Sequence, residues 1–163
     1  MWTMAKRADI FARRIADRHY NRQKVGATLF VPPGRCLVLK AAGAVWVSSW
    51  PIAAYVLHAW AGAWMNTLFR RESGPLASEM IREAVAITRG EWGDAPPLGM
   101  ITFVDADKVR HKRDPGRCYL RAGFHRVGYT KSGLLALQLL PAEMPEPICQ
   151  QMALEWRTPG PGR

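Results

Sequence analysis

The chain has 163 residues, nearly half of them apolar and 22% charged, and carries a net charge of +10 with a pI near 10.2. That length suits one domain able to bury ~70% of the surface its unfolded form exposes, and the composition excludes a disordered tail. Cys36, Cys118 and Cys149 lie far apart, which argues against a disulfide framework and a paired-cysteine zinc site and favours a reducing compartment.

The N-terminus begins polar and basic, without an apolar core ahead of a cleavage site, so no signal peptide is expected. Residues 4–20 set Ile10, Phe11, Ile15 and Ala16 near one another at helical spacing, with Lys6, Arg7, Arg13, Arg14 and Arg18 largely elsewhere. This predicts an amphipathic helix with a basic face. Residues 28–31 read as a short strand stopped by Pro32-Pro33-Gly34. Residues 36–40 and 44–49 are β-branched-rich runs around Ala42-Gly43 and predict an antiparallel hairpin. Residues 51–61 are ambiguous, and 64–70 alternate as a strand does. The apolar-rich stretch 45–68 is interrupted by Ser48, Ser49, Pro51, His58 and Asn66. It reads as buried sheet rather than a membrane span, which needs ~20 mostly apolar residues. A soluble, cytoplasmic protein is expected.

Ser73-Gly74-Pro75 opens the clearest helix, with Met80, Ile81, Ala84, Val85 and Thr88 at helical spacing and Gly90 as its expected stop. Pro96-Pro97 leads into an apolar strand, 100–104, that ends at Asp105. A basic loop follows, then a short helix carrying Tyr119, then Gly123-Phe124 and a two-stranded hairpin. Beyond Pro141 the chain turns Pro-rich. The predicted organisation is therefore an α/β domain over residues 1–140 and a loosely docked Pro-rich tail over 141–163.

The basic residues cluster. Lys108, Arg110, Lys112, Arg113, Arg117, Arg121, Arg126 and Lys131 fall in one short stretch, and Arg13, Arg14, Arg18, Arg22 and Lys24 form a second group beside His19-Tyr20. Such segments grip phosphates while an adjacent pocket reads a base, so double-stranded DNA is the expected partner and no membrane is. A purely solubilising charge is the alternative. Among the aromatic residues of 46–64, Trp50 and Tyr55 are the candidates for stacking on a base outside the core.

Four residues are candidates for chemistry. Asp105, at a strand end, either acts as base and orients an amine or caps the next turn. Tyr119, on the short helix, is a candidate acid, or else a packed ring with a satisfied hydroxyl. His19, a residue type suited to proton transfer near neutral pH, is a candidate base or, with Asp105, a metal ligand, against a solvated residue or a phosphate contact, with Tyr20 beside it. No metal site is read from the spacing of the histidines.

The order strand, Tyr-bearing short helix, Gly-Phe and hairpin resembles the C-terminal half of the GNAT superfamily of acyltransferases. That resemblance implies a GNAT-like mixed central sheet flanked by helices, with Tyr119 as the acid. It also implies a pyrophosphate loop at the strand-to-helix junction Arg71-Glu72-Ser73-Gly74-Pro75-Leu76-Ala77-Ser78, where backbone amides at a helix N-terminus would hold a coenzyme A donor. Arg71 and Gly74 fit, with Ser73, Ala77 and Ser78 completing the loop; Leu76 stands where a small residue is expected, and Pro75 removes an amide. Thr102-Phe103-Val104-Asp105, Gly116, Tyr119, Ala122-Gly123-Phe124, Gly128 and the early His19-Tyr20 pair further resemble the Mom family of phage DNA-modification proteins. This second resemblance implies anti-restriction modification of DNA: a carbamoylmethyl or acyl-type group placed on the exocyclic amine of adenine, with Asp105, Tyr119, His19 and Tyr20 as the catalytic set. The donor is not named by the residues; acetyl-CoA and another acyl donor both fit. An acyl-CoA-dependent N-acetyltransferase on a small amine or protein, and a non-catalytic DNA-binding protein on the same scaffold, are the alternatives.

Overall fold

The computed structural model describes residues 1–109 and 114–150. Its centre is one seven-stranded sheet built from β1 (Thr3–Ala5), β2 (Arg35–Ala41), β3 (Ala44–Trp50), β4 (Trp64–Arg71), β5 (Met100–Val104), β6 (His125–Tyr129) and β7 (Leu135–Leu139), in the order β1-β2-β3-β4-β5-β7-β6. Every neighbouring pair is antiparallel except β4 and β5. Parallel neighbours need a crossover, and helix α2 (Ala77–Trp92) supplies it. The protein is thus α/β with a mixed sheet.

Helix α2 buries Met80, Ile81, Ala84, Val85 and Ile87 against one face of the sheet, where Trp2, Trp46, Trp64, Met100, Phe124 and Leu137 join it in the main core. On the opposite face, the short helix α1 (Ile10–Ala16) covers Val38, Val45, Val47 and Leu68. The expected helix over 4–20 is therefore only seven residues long. Asp9 caps it by accepting the Ala12 N–H, which fixes its start, and residues 3–5 are instead drawn into pairing with β2. Its buried side is Ala12, Ile15 and Ala16, whereas Ile10 and Phe11 stand exposed. Small residues on that side let the helix lie close to the sheet.

Residues 28–31 form no strand; Phe30 drops into the core under α1 from an irregular segment. Gly90 does not end α2. A Cβ there would lie 2.1 Å from the Ile148 carbonyl oxygen, so glycine is required by close approach of the C-terminal segment, and Gly93 at φ +81° ends the helix. The hairpin at Ala42-Gly43 and the strand 100–104 form as the pattern predicts. Short helix α3 (Arg117–Arg121) carries Tyr119, and β6 and β7 form the closing hairpin. Residues 141–150 pack along α2: Met144 is buried, Ile148 N–H donates to the Ala86 carbonyl, and the Gln150 amide reaches the Trp2 carbonyl. No helix among the described residues is long and apolar enough to cross a membrane.

Two local features open the sheet. A bulge shifts the register between Val47/Ser48 and Asn66/Leu68, leaving Thr67 as the extra residue of β4. Pairing between β4 and β5 ends at Asn66 and Thr102, although both strands run on, to Arg71 and Val104. The parting strands leave a gap in the sheet.

Candidate active site

The gap holds a cleft of about 280 Å³. His19, Tyr20 and Asn21, just beyond α1, line it on one side of the sheet, and Cys118 and Tyr119 of α3, with Ala77 at the start of α2, on the other. Phe69 and Phe103 supply further aromatic wall, and Arg70 and Arg71 are its charged lining. The structure therefore brings His19, Tyr20 and Tyr119 together, across one hundred residues of sequence.

The floor of the cleft is a hydrogen-bond network whose polarity can be assigned. The Asn66 amide nitrogen donates to the carbonyls of Val47 (3.1 Å) and Leu68 (2.9 Å), on either side of the bulge. Reversing the amide would set its oxygen against both carbonyls, so the side chain has one orientation. Its Oδ1 then accepts the Tyr119 hydroxyl at 2.6 Å, and the Thr102 hydroxyl reaches Asn66 O at 3.1 Å and Oδ1 at 3.3 Å. The Tyr119 O–H is committed as a donor to Asn66; what its oxygen offers a ligand is a lone pair. Burial, with Cys118 nearby, pushes the Tyr119 phenol well above its usual range, so it stays neutral. Its ring is held edge-on by Phe69 and Phe124.

Tyr20 has the opposite polarity. Its oxygen accepts the Asp105 N–H at 3.4 Å, which leaves its own O–H to donate. Partial burial raises its phenol, and the His19 ring stacks on it at 4.4 Å. The Thr67 hydroxyl, displaced by the bulge, lines the cleft buried and without a partner among the described residues.

Asp105 is not part of the lining. Its Oδ1 accepts the backbone N–H groups of Asp107 (3.1 Å) and Lys108 (3.3 Å), closing a turn at the start of the basic loop. Of its two expected roles the structure displays the capping one, and its backbone N–H positions Tyr20.

At the junction before α2, Arg71 donates to the Gly74 carbonyl at 2.8 Å and to that of Pro75, which braces the turn. Gly74 takes φ +101° there. Ser73 fits under Gly43, whose carbonyl receives the Glu72 and Ser73 N–H groups; a Cβ at Gly43 would stand 1.8 Å from the Ser73 hydroxyl. No side chain caps the first turn of α2, where Ala77 and Ser78 lie, and Ala77 borders the cleft.

The basic residues expected to hold phosphate are placed unequally. Arg18 grips Glu72 through two bonds of 2.6 Å, and Arg70 joins at 2.9 Å. Together they lower the Glu72 carboxyl to about 2. Arg22 pairs with Asp17 at 2.8 Å and ties down the Ala27 carbonyl, so its work is internal. Lys108 and Arg117 are exposed. Arg110, Lys112 and Arg113 lie outside the described residues. Of the aromatic candidates, Trp50 packs against Trp64 and Trp92 with the Arg35 guanidinium 5.0 Å from its ring, and Tyr55 projects into solvent.

Sequence reasoning missed Asn66 and Thr102 as site residues. Each is a buried polar residue within an apolar strand, and that was the available signal. Among the described residues no three His, Cys, Asp or Glu side chains gather as metal ligands would. Comparison with known proteins found no matching family model, no matching curated protein and no matching solved structure.

Proposed function

We propose that the protein is a GNAT-like transferase that adds a carbamoylmethyl or acyl-type group to the exocyclic amine of adenine in DNA. The observation that carries this reading is the polarity of the cleft. Between aromatic walls it sets an acceptor, the Tyr119 oxygen, and a donor, the Tyr20 hydroxyl, with an unpartnered Thr67 hydroxyl beside them. A flat, neutral group bearing an N–H next to a ring nitrogen matches that pair, and the Watson–Crick edge of adenine is such a group. Its amine would donate to Tyr119 while its ring nitrogen accepts from Tyr20.

The amine nitrogen is a poor nucleophile because its lone pair is delocalised into the ring. A hydrogen bond from N–H to Tyr119 holds it in place and raises its electron density. As nitrogen bonds to the donor's carbon, the leaving group departs with its electron pair and the nitrogen loses a proton. His19, stacked on Tyr20 at the cleft, is the base that receives it. Tyr119 and Tyr20 act here as acceptor and donor that orient the base, and the proton taken up by His19 is the one available to the departing leaving group. Asp105 positions Tyr20 and the basic loop. The exposed Lys108 and Arg117 and the +10 charge supply phosphate contacts.

The uncapped N-terminus of α2 beside the cleft favours a second reading, an acyl-CoA-dependent N-acetyltransferase whose donor phosphates meet those amides. One experiment separates the two. The protein is expressed in a bacterium and the DNA digested to nucleosides for mass spectrometry, beside Tyr119→Phe and Asp105→Ala controls. A heavier deoxyadenosine that is lost with Tyr119→Phe supports DNA modification. Unmodified DNA together with saturable acetyl-CoA binding supports the acetyltransferase.

A further inference from the structure

Between Lys40 and Arg70 the chain carries no charged residue, although the whole protein is strongly basic. The loop joining β3 to β4 lies within this neutral stretch. Three large apolar side chains stand out from it: Ile52 at 67%, Tyr55 at 81% and Leu57 at 97% exposure. Isolated apolar side chains on a surface are ordinary, but three within six residues on one turn are a concentrated feature.

The loop is not slack. A single 3-10 turn, Ala53–Tyr55, shapes its tip, with Tyr55 N–H bonded to the Ile52 carbonyl. Its base is packed: His58 Nδ1 accepts the Trp60 N–H, and both rings contact Phe103, at 5.1 and 5.9 Å between centroids. Burial holds His58 below its usual range, which keeps the base neutral. Phe103 also lines the cleft. One ring therefore forms part of the cleft wall on one side and the seat of the loop on the other.

We propose that the loop at residues 51–62 is a wedge that enters a base step of duplex DNA beside the cleft, with Ile52, Tyr55 and Leu57 as the inserting side chains. The proposal rests on the DNA reading above and adds the means by which a base leaves the stack. Apolar side chains inserted between bases unstack them and kink the duplex, and a firm seat makes the insertion stiff. DNA suits both properties of this surface: phosphates answer the cationic chain, and stacked bases offer an apolar interior within reach of an uncharged projection. A base displaced at the wedge would stand beside the wall formed by Phe103.

The test uses the full-length protein and short fluorescein-labelled duplexes, fully paired or with one central mismatch, read by anisotropy across a salt series. A mismatch removes part of the unstacking cost, so the wild type should bind the mismatched duplex at least about tenfold more tightly. A Tyr55→Ser/Leu57→Ser variant should bind both duplexes alike while keeping the wild-type salt slope. Thermal melting of the variant checks that its fold is intact, as expected for exposed positions. A variant that retains the mismatch preference overturns the wedge and leaves the base-reading cleft standing. Absence of salt-dependent binding to any duplex overturns the DNA reading and the wedge with it. If the wild type but not the variant sediments with anionic phospholipid vesicles and shows no mismatch preference, the loop inserts into lipid and the proposal is wrong.

Discussion

The two faces of the sheet are built on different plans. On the α2 side one unbroken core runs from Trp2 to Met144 and takes in the largest buried side chains, Trp46, Trp64 and Phe124. On the other side the seven-residue α1 is too short to cover seven strands, and the buried residues fall into two separate groups, one under α1 and one around Ala63, Ile101 and Ala136. His19 and Tyr20 follow α1, and the Phe103-seated loop belongs to the second group. Stability is concentrated on the covered face; the divided face leaves room for a cleft.

The sharpest way to break this contrast is to make equal deletions on each face. Ile81→Ala, on the fully buried side of α2, should cost about 3–5 kcal/mol in denaturant titration. Ile15→Ala, in the smaller group, should cost about 2 kcal/mol, because a site beside an open edge collapses more readily. Equal losses would erase the distinction between the faces.

The cleft floor joins both. Asn66→Ala strands two carbonyls and the Tyr119 hydroxyl at once, while the Thr102 hydroxyl keeps the Asn66 backbone carbonyl, and should cost about 2–3 kcal/mol. Tyr119→Phe removes one hydrogen bond and should cost about 1 kcal/mol. If the cleft reads a base as proposed, Tyr119→Phe should nonetheless abolish modification, so stability and function separate at this position.

The smallest effect concerns Glu72. Its carboxyl ionises at about 2 in the folded protein against 4.5 for the ordinary side chain, so its ion pairs with Arg18 and Arg70 contribute fully above pH 4.5 and are lost as pH falls towards 2. The pairs are partly solvent-exposed, so the contribution is under about 1 kcal/mol. Glu72→Gln should flatten the acid limb of the stability curve in that window. It also releases two guanidinium groups, so if the protein binds DNA as proposed its affinity should rise and the salt slope steepen by about one to two.

Much of the sheet could be read from the sequence because its signals are local. The Ala42-Gly43 hairpin, strand 100–104 and the helix after Pro75 each declare themselves through pattern and punctuation. The N-terminal helix was overextended because a helical period does not reveal that residues 3–5 have a strand to pair with. Gly90 was misread because its reason, the Ile148 carbonyl, lies fifty-eight positions away. The site was half legible. Tyr119, Tyr20 and His19 stood out by residue type, but Asn66 gains its meaning from a bulge that only strand pairing creates, and that pairing fixes which way the Tyr119 proton points.

The parting of β4 and β5 has a kinetic consequence. The cleft is lined from both faces of the sheet, by His19 on one and Ala77 on the other. If the protein is a transferase as proposed, a cleft that borders both His19 and the first turn of α2 holds acceptor and donor together. Initial rates measured against both reactants should give intersecting double-reciprocal lines, the mark of a ternary complex, rather than the parallel lines of an enzyme that must release one product before admitting the next substrate.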